Sequence, residues 1–132
     1  MRRRMLKSKI HRATVTDSEL HYEGSITVDS LLMEAADLRE YEEVAVWDLT
    51  NGARLTTYVI PGEAGSGTVA MNGAAAHIVN RGDRVIISSF ADYDEAELSD
   101  FAARKVFVDA SNRIAQEACA ACTGCREEAA RT

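Results

Sequence analysis

Two runs that alternate in the manner of β-strands, Val44-Ala45-Val46-Trp47-Asp48-Leu49 and Leu55 to Ile60, flank the dipeptide Asn51-Gly52. Both residues tolerate positive φ, which tight hairpin turns demand, so the segment predicts a β-hairpin. The same signal recurs in shorter form along the chain. Ile10 to Thr16 alternates and is rich in β-branched residues, Ile26-Thr27-Val28 reads as a short strand, and Thr68 to Met71 as another. Val85-Ile86-Ile87 suits a buried strand, and Lys105 to Val108 closes the series. Pro61-Gly62 ends the second hairpin strand, while Gly65-Ser66-Gly67 and Asn80-Arg81-Gly82-Asp83 supply further turns. Helix signals are few. Asp29 can cap a short helix with an apolar face of Leu31, Leu32, Ala35 and Ala36, and Gly73-Ala74-Ala75-Ala76 starts a helical turn. Many short strands with turns between them favour a closed barrel, because an open sheet would leave edges exposed. The residues give a small barrel, mostly β.

A chain of 132 residues suits one domain with one modest core. We place that domain at residues 1–110 and expect a flexible tail over 111–132. The net charge of −6 argues against a nucleic-acid partner held through phosphate contacts. Arg2-Arg3-Arg4 is followed by Met5-Leu6 and Lys7 with no long apolar stretch behind it. That is neither a signal peptide nor a membrane span, so no membrane partner and a cytoplasmic location are expected, with the arginines a solvated terminus. Cys119, Cys122 and Cys125 have the short intervals of metal sites. A structural zinc site needs a fourth ligand, and His11, His21 and His77 are all remote in sequence. The expectation is a tail with reduced thiols and no metal.

The dipeptide Gly24-Ser25, in Leu20-His21-Tyr22-Glu23-Gly24-Ser25, carries a chemical possibility. A serine hydroxyl can attack the carbonyl before it, turning the peptide into an ester; elimination then leaves an N-terminal pyruvoyl group. Such a ketone can form a Schiff base with an amine and take up electrons as a cofactor does. Most Gly-Ser pairs are ordinary turns, so the neighbouring motifs decide. Taken singly, Tyr58 is equally a strand aromatic, Arg54 an exposed strand residue and Lys9 a solvated terminal cation.

His21-Tyr22-Glu23-Gly24-Ser25, Thr50-Asn51-Gly52, Arg54, Thr57-Tyr58 and Asn72-Gly73-Ala74-Ala75-Ala76-His77 stand in one order and spacing. With Met5-Leu6-Lys7-Ser8-Lys9-Ile10-His11-Arg12, they resemble the pyruvoyl-dependent L-aspartate α-decarboxylases from about Met1 to Val108. The cysteine-bearing tail has no counterpart in that resemblance.

The resemblance implies a double-psi β-barrel with short helices and a homotetramer with active sites between subunits. It also implies conversion of L-aspartate to β-alanine and CO₂, feeding pantothenate and coenzyme A synthesis. A pyruvoyl group made from Ser25 would be the electron sink, so neither pyridoxal phosphate nor metal is expected. Gly24, Ser25 and Thr57 would serve self-cleavage, with the Thr57 hydroxyl donating to the Gly24 oxygen as charge develops there. Glycine at 24 would allow unusual backbone conformations and close approach of the nucleophile. Tyr58 is the matching proton donor, a phenol that keeps its proton at neutral pH. The two substrate carboxylates call for cations, Arg54 with bidentate geometry and Lys9 as a point charge. Asn72, Gly73, Ala74 and Ala75 would touch substrate or its carboxylate, and His11, Tyr22 and Trp47 would line the pocket. A second reading stays open: a non-catalytic β-barrel interaction module with Ser25 intact.

Overall fold

In a computed structural model that describes residues 1–22 and 24–118, nine strands and three short helical segments carry the fold. The strands are β1 (Arg2–Thr14), β2 (Asp17–Glu19), β3 (Ser25–Asp29), β4 (Glu43–Asp48), β5 (Arg54–Gly62), β6 (Val69–Asn72), β7 (Arg84–Asp94), β8 (Arg104–Val108) and β9 (Ile114–Ala118). One α-helix, α1 (Ser30–Ala35), follows β3, and 3-10 turns occupy Gly73–His77 and Glu97–Asp100.

The β4–β5 hairpin forms where Asn51-Gly52 predicts it. Gly52 takes φ +80°, and side chains complete the turn: Asp48 Oδ1 accepts from the Thr50 and Asn51 amides, and Asn51 Oδ1 from the Ala53 amide. Asp29 caps α1 through a 2.9 Å bond from the Leu31 amide. The apolar face of that helix differs from expectation. Leu32 and Met33 are buried and Leu31 is exposed, because only one side of so short a helix meets the barrel.

The strands hydrogen-bond in the order β2-β6-β3-β5-β4-β7-β1-β8-β9. β2 is the continuation of β1 beyond Val15 and Thr16, so the first member of that order is covalently joined to the seventh. The chain leaves β7 at the Val15 amide, which donates to the Asp83 carbonyl, and reaches β6 at the Thr16 amide, which donates to the Val69 carbonyl. This crossing closes the sheet into a ring, with β8 and β9 added outside it on β1. Parallel pairs (β1–β8, β2–β6, β3–β5) mix with antiparallel ones. The fold is mostly β with short helices, a double-psi β-barrel. Inside it pack Ile10, Ile26, Val28, Val46, Val59, Met71 and Ile87, each 1% exposed or less.

Asn112 fastens the crossing. Its Oδ1 accepts from the Thr14 amide at 2.7 Å, and its Nδ2 donates to the Thr14 and Gly67 carbonyls. The side chain thereby pairs with backbone as a strand would, where β1 changes partners. Ordered structure extends past residue 110 for this reason: Asn112 is buried and β9 pairs with β8. Cys119, Cys122 and Cys125 lie outside the described residues. β1 also starts earlier than its apolar content suggests. Arg2, Arg3 and Arg4 are exposed but lie in register with Asp94, Tyr93 and Asp92, where Arg2 pairs with Asp94, Arg4 with Asp92 and Arg3 with Glu95. Among the described residues, no helix is long and apolar enough to cross a membrane.

Candidate active site

β3 begins at Ser25, between β5 and β6. The antiparallel register places Ser25 opposite Asn72. On the other side Ile26 pairs with Val59, and carrying that register back sets Ser25 level with Tyr58 and Gly24 level with Thr57. Side chains level with one another across a ladder share a face, so Tyr58, Ser25 and Asn72 form one row on the sheet. Local chemistry sets this arrangement. Ile26 and Val28 point into the core, so period-two alternation turns Ser25 and Thr27 the other way.

Ser25 is only 1% exposed. Asn72, itself 5% exposed, donates from Nδ2 to Ser25 Oγ at 3.0 Å and to Thr27 Oγ1 at 2.9 Å. The hydroxyl of Ser25 is thereby held in place by the facing strand. Beside it opens a cavity of about 430 Å³ lined by Gly24, Thr57, Tyr58, Asn72, Ala74 and Ala75, with Leu55, Thr56 and Ile78 completing the wall. Six of the sequence-derived site residues thus share one hollow.

Gly73 takes φ +67°, and a Cβ there would sit 2.6 Å from the Gly24 Cα, 2.8 Å from the Gly24 nitrogen and 3.0 Å from the Tyr22 oxygen. The space its missing side chain leaves is taken by backbone atoms of Tyr22 and Gly24. At Gly24, in contrast, a Cβ would meet no described atom within 4 Å apart from its chain neighbours. The steric demand expected at Gly24 therefore falls on Gly73. The Tyr22 ring is exposed.

A second group of residues stands apart from this hollow. Trp47 and Arg54 pair across the β4–β5 hairpin, with the guanidinium 5.0 Å above the indole ring. Such a stack fixes the guanidinium's plane and leaves its edge able to bind a carboxylate. Lys9 lies on β1 between Ser88 of β7 and Lys105 of β8. Its pKa is lowered, first by burial and then by Lys105. His11 follows, its ring edge-on to Phe107 and its pKa lowered to about 4 by burial, with Lys9 and Arg12 adding to the shift. At neutral pH His11 is uncharged. None of these four lines the Gly24 cavity of its own chain.

Three features escaped the sequence reading. Thr27 was read only as a strand residue, although its spacing of two from Ser25 puts it on the same face. Tyr41, with φ +73°, sets its ring 6.0 Å from that of Tyr58, and no local pattern signals that contact. Asp48, only 3% exposed, stands beside Asp83, the residue just before β7; burial, then Asp83, raises its carboxyl above the usual range. Among the described residues, no three His, Cys, Asp or Glu side chains converge as a metal site.

The sequence model of the family described as aspartate decarboxylase matches residues 1–115. The aspartate 1-decarboxylase of Syntrophus aciditrophicus (strain SB) is 59% identical over 114 residues, which cover 86% of this chain and 98% of that protein. The aspartate 1-decarboxylase of Myxococcus xanthus (strain DK1622) is 55% identical over 114 residues, covering 86% of this chain and 88% of its own.

Proposed function

We propose that this chain, which belongs to the aspartate decarboxylase family, converts L-aspartate to β-alanine and CO₂ after cutting itself between Gly24 and Ser25. The observation that carries the reading is Ser25 Oγ, buried, held by Asn72, and next to a cavity that Gly24, Thr57 and Tyr58 line. In the cut, the bond from Ser25 Oγ to the Gly24 carbonyl carbon forms and the Gly24–Ser25 C–N bond breaks. The hydroxyl proton passes to the freed nitrogen. Loss of the Ser25 α-proton then expels the Gly24 carboxylate, and water releases ammonia from the remaining enamine to give the ketone. Thr57, level with Gly24, is the donor assigned to the carbonyl oxygen during attack.

The residues present suit that ketone. Asn72 Nδ2 is a donor already aimed at Ser25 Oγ, and a donor serves a carbonyl oxygen as well as a hydroxyl. When formed, the group supplies the electron sink that lets a carboxylate leave an amino acid. The reading calls for neither pyridoxal phosphate nor metal. Tyr58, in the same row as Ser25, delivers the proton that replaces CO₂ at Cα. Asn72 and the Gly73-Ala74-Ala75 backbone border the space for substrate, and Arg54 and Lys9 are the cations for its carboxylates. Those cations lie away from the cavity of their own chain, which favours sites assembled between copies, in a homotetramer. β-Alanine made here would feed pantothenate synthesis in the cytoplasm.

Intact mass under denaturing conditions tests the reading, together with release of CO₂ from L-aspartate. Two fragments, 1–24 and a ketone-ended 25–132, should accompany activity that ignores added pyridoxal phosphate. Asparagine should turn over poorly, since its amide would leave a cation unmatched. An active but uncut chain would remove the self-processing step. An uncut, inactive chain would leave the barrel as an interaction module.

A further inference from the structure

Asn72 spends both hydrogens of its amide on two hydroxyls of the same strand, Ser25 Oγ at 3.0 Å and Thr27 Oγ1 at 2.9 Å. The first contact belongs to the self-cleavage just described; the second has no part in it. Thr27 is nevertheless well fixed for a role there. It is β-branched, which leaves few side-chain rotamers. Its methyl group lies over Gly62, where a Cβ would come within 3.2 Å of Thr27 Cγ2, and its hydroxyl meets Asn72. Methyl and hydroxyl thus have separate partners on the two neighbouring strands, β5 and β6. The threonine cannot turn without losing one of them.

This matters because an amide held at one point can swing. With Nδ2 toward β3, Asn72 donates to Ser25 Oγ. Thr27 Oγ1, one step along the strand, takes the second hydrogen of the same nitrogen, so the amide is held at two points and its plane cannot rotate away from Ser25. We propose that Thr27 is a positioning residue for self-cleavage: it orients the Asn72 amide, which in turn holds Ser25 Oγ for attack on Gly24. The proposal rests on the self-cleavage reading. Thr27 touches neither the broken bond nor, through this contact, the later substrate.

The test follows cutting of freshly purified full-length chain over time by denaturing gel and intact mass, comparing wild type, Thr27→Val, Thr27→Ser and Ser25→Ala. Valine keeps the shape and removes the hydroxyl; serine keeps the hydroxyl and removes the methyl. Thr27→Val should cut about tenfold more slowly, the size of effect expected when one hydrogen bond that orients a reacting group is lost. Thr27→Ser should restore most of the rate. The double variant Thr27→Val/Ser25→Ala, which stays whole, should melt within a few degrees of Ser25→Ala alone, showing that the slow cutting is not a failure to fold. Thr27→Val cutting at the wild-type rate would overturn the proposal and leave the self-cleavage reading intact. So would Thr27→Ser cutting as slowly as Thr27→Val, since packing would then be the cause. A wild-type chain that never cuts would remove the reading itself and the proposal with it.

Discussion

Replacing Gly73 by alanine should slow self-cleavage more than any other change of one methyl group near the site. Two separate costs arise. At φ +67° an L-residue is less favourable than glycine by about 1–2 kcal/mol. The added Cβ would also lie 2.6 Å from the Gly24 Cα. Carbon atoms rest at about 3.5–4.0 Å, so something must move by about 1 Å. The Gly73–His77 turn is tied to the barrel through β6, and Tyr22 and Gly24 are exposed, so most of the movement should fall on Gly24. A displacement of about 1 Å at reacting groups can cost about a hundredfold in rate, and that is the expected loss in the cutting rate measured by intact mass. The folded state should lose about 2–4 kcal/mol as well, the sum of the dihedral cost and mild overpacking, read from denaturant melts in a Ser25→Ala background. Gly24→Ala is the control, since its Cβ would meet open space. If Gly73→Ala cuts at the wild-type rate, or Gly24→Ala is the more damaging of the two, the account of how the scissile bond is seated is wrong.

Tyr58→Phe should cut itself normally yet turn over L-aspartate about 10²–10⁴-fold more slowly, because only the second reaction needs the phenol proton; equal turnover would send the donor role elsewhere. Asp48 Oδ2 is buried with no hydrogen-bond partner among the described residues, and it faces Asp83. A raised carboxyl pKa in the folded state means stability that is full below the unfolded value and drains as pH climbs through the folded one. Asp48→Asn should therefore stabilise the protein increasingly as pH rises from about 4, by melts on Ser25→Ala; a constant difference across pH would refute this. His11 acts in the opposite sense. Its depressed value holds full stability above about 6.5 and loses it as pH falls toward about 4, so His11→Gln should flatten that acid limb. Asn112→Ala removes three hydrogen bonds to backbone, two at half-buried Thr14 and one at buried Gly67, and should cost about 3–4 kcal/mol in the same melts; a loss below about 1 kcal/mol would make the clamp incidental.

What the sequence disclosed was what neighbouring residues decide among themselves. The Asn51-Gly52 turn and the Asp29 cap lie within a few residues of the groups they bond, so their chemistry is complete in a short window. The row of Tyr58, Ser25 and Asn72 is different. Ser25 was named from the chemistry of its Gly-Ser bond and Tyr58 and Asn72 from the family resemblance, but their alignment depends on which strands become neighbours, and no window of the chain contains that. Arg2 to Arg4 show the same limit, since arginines that read as a solvated terminus acquire strand partners 90 residues later. Asn112 was missed because an asparagine after a loop looks like any turn residue; its value comes from reaching Thr14 and Gly67 together. Gly73 was read for its place beside substrate, and nothing local announces that its missing side chain also leaves room for the Tyr22 and Gly24 backbone.

The crossing from β1 to β2 has a consequence for the protein after cutting. Residues 1–24 hold both strands: β1 lies between β7 and β8, and β2 lies on β6. The short fragment is thus an inserted stave of the barrel, and the cut protein is a noncovalent complex of two unequal chains. Within each barrel its unfolding then obeys mass action between the two fragments, a dependence that comes in addition to any association between copies. Dilution should lower the melting midpoint of the cut barrel, with each tenfold step worth up to about 1.4 kcal/mol of association free energy. Added 1–24 peptide should raise it again. A chain that breaks this one peptide bond would exchange a first strand held covalently for one held by association alone, and the integrity of its barrel would depend on how much of that strand remains nearby.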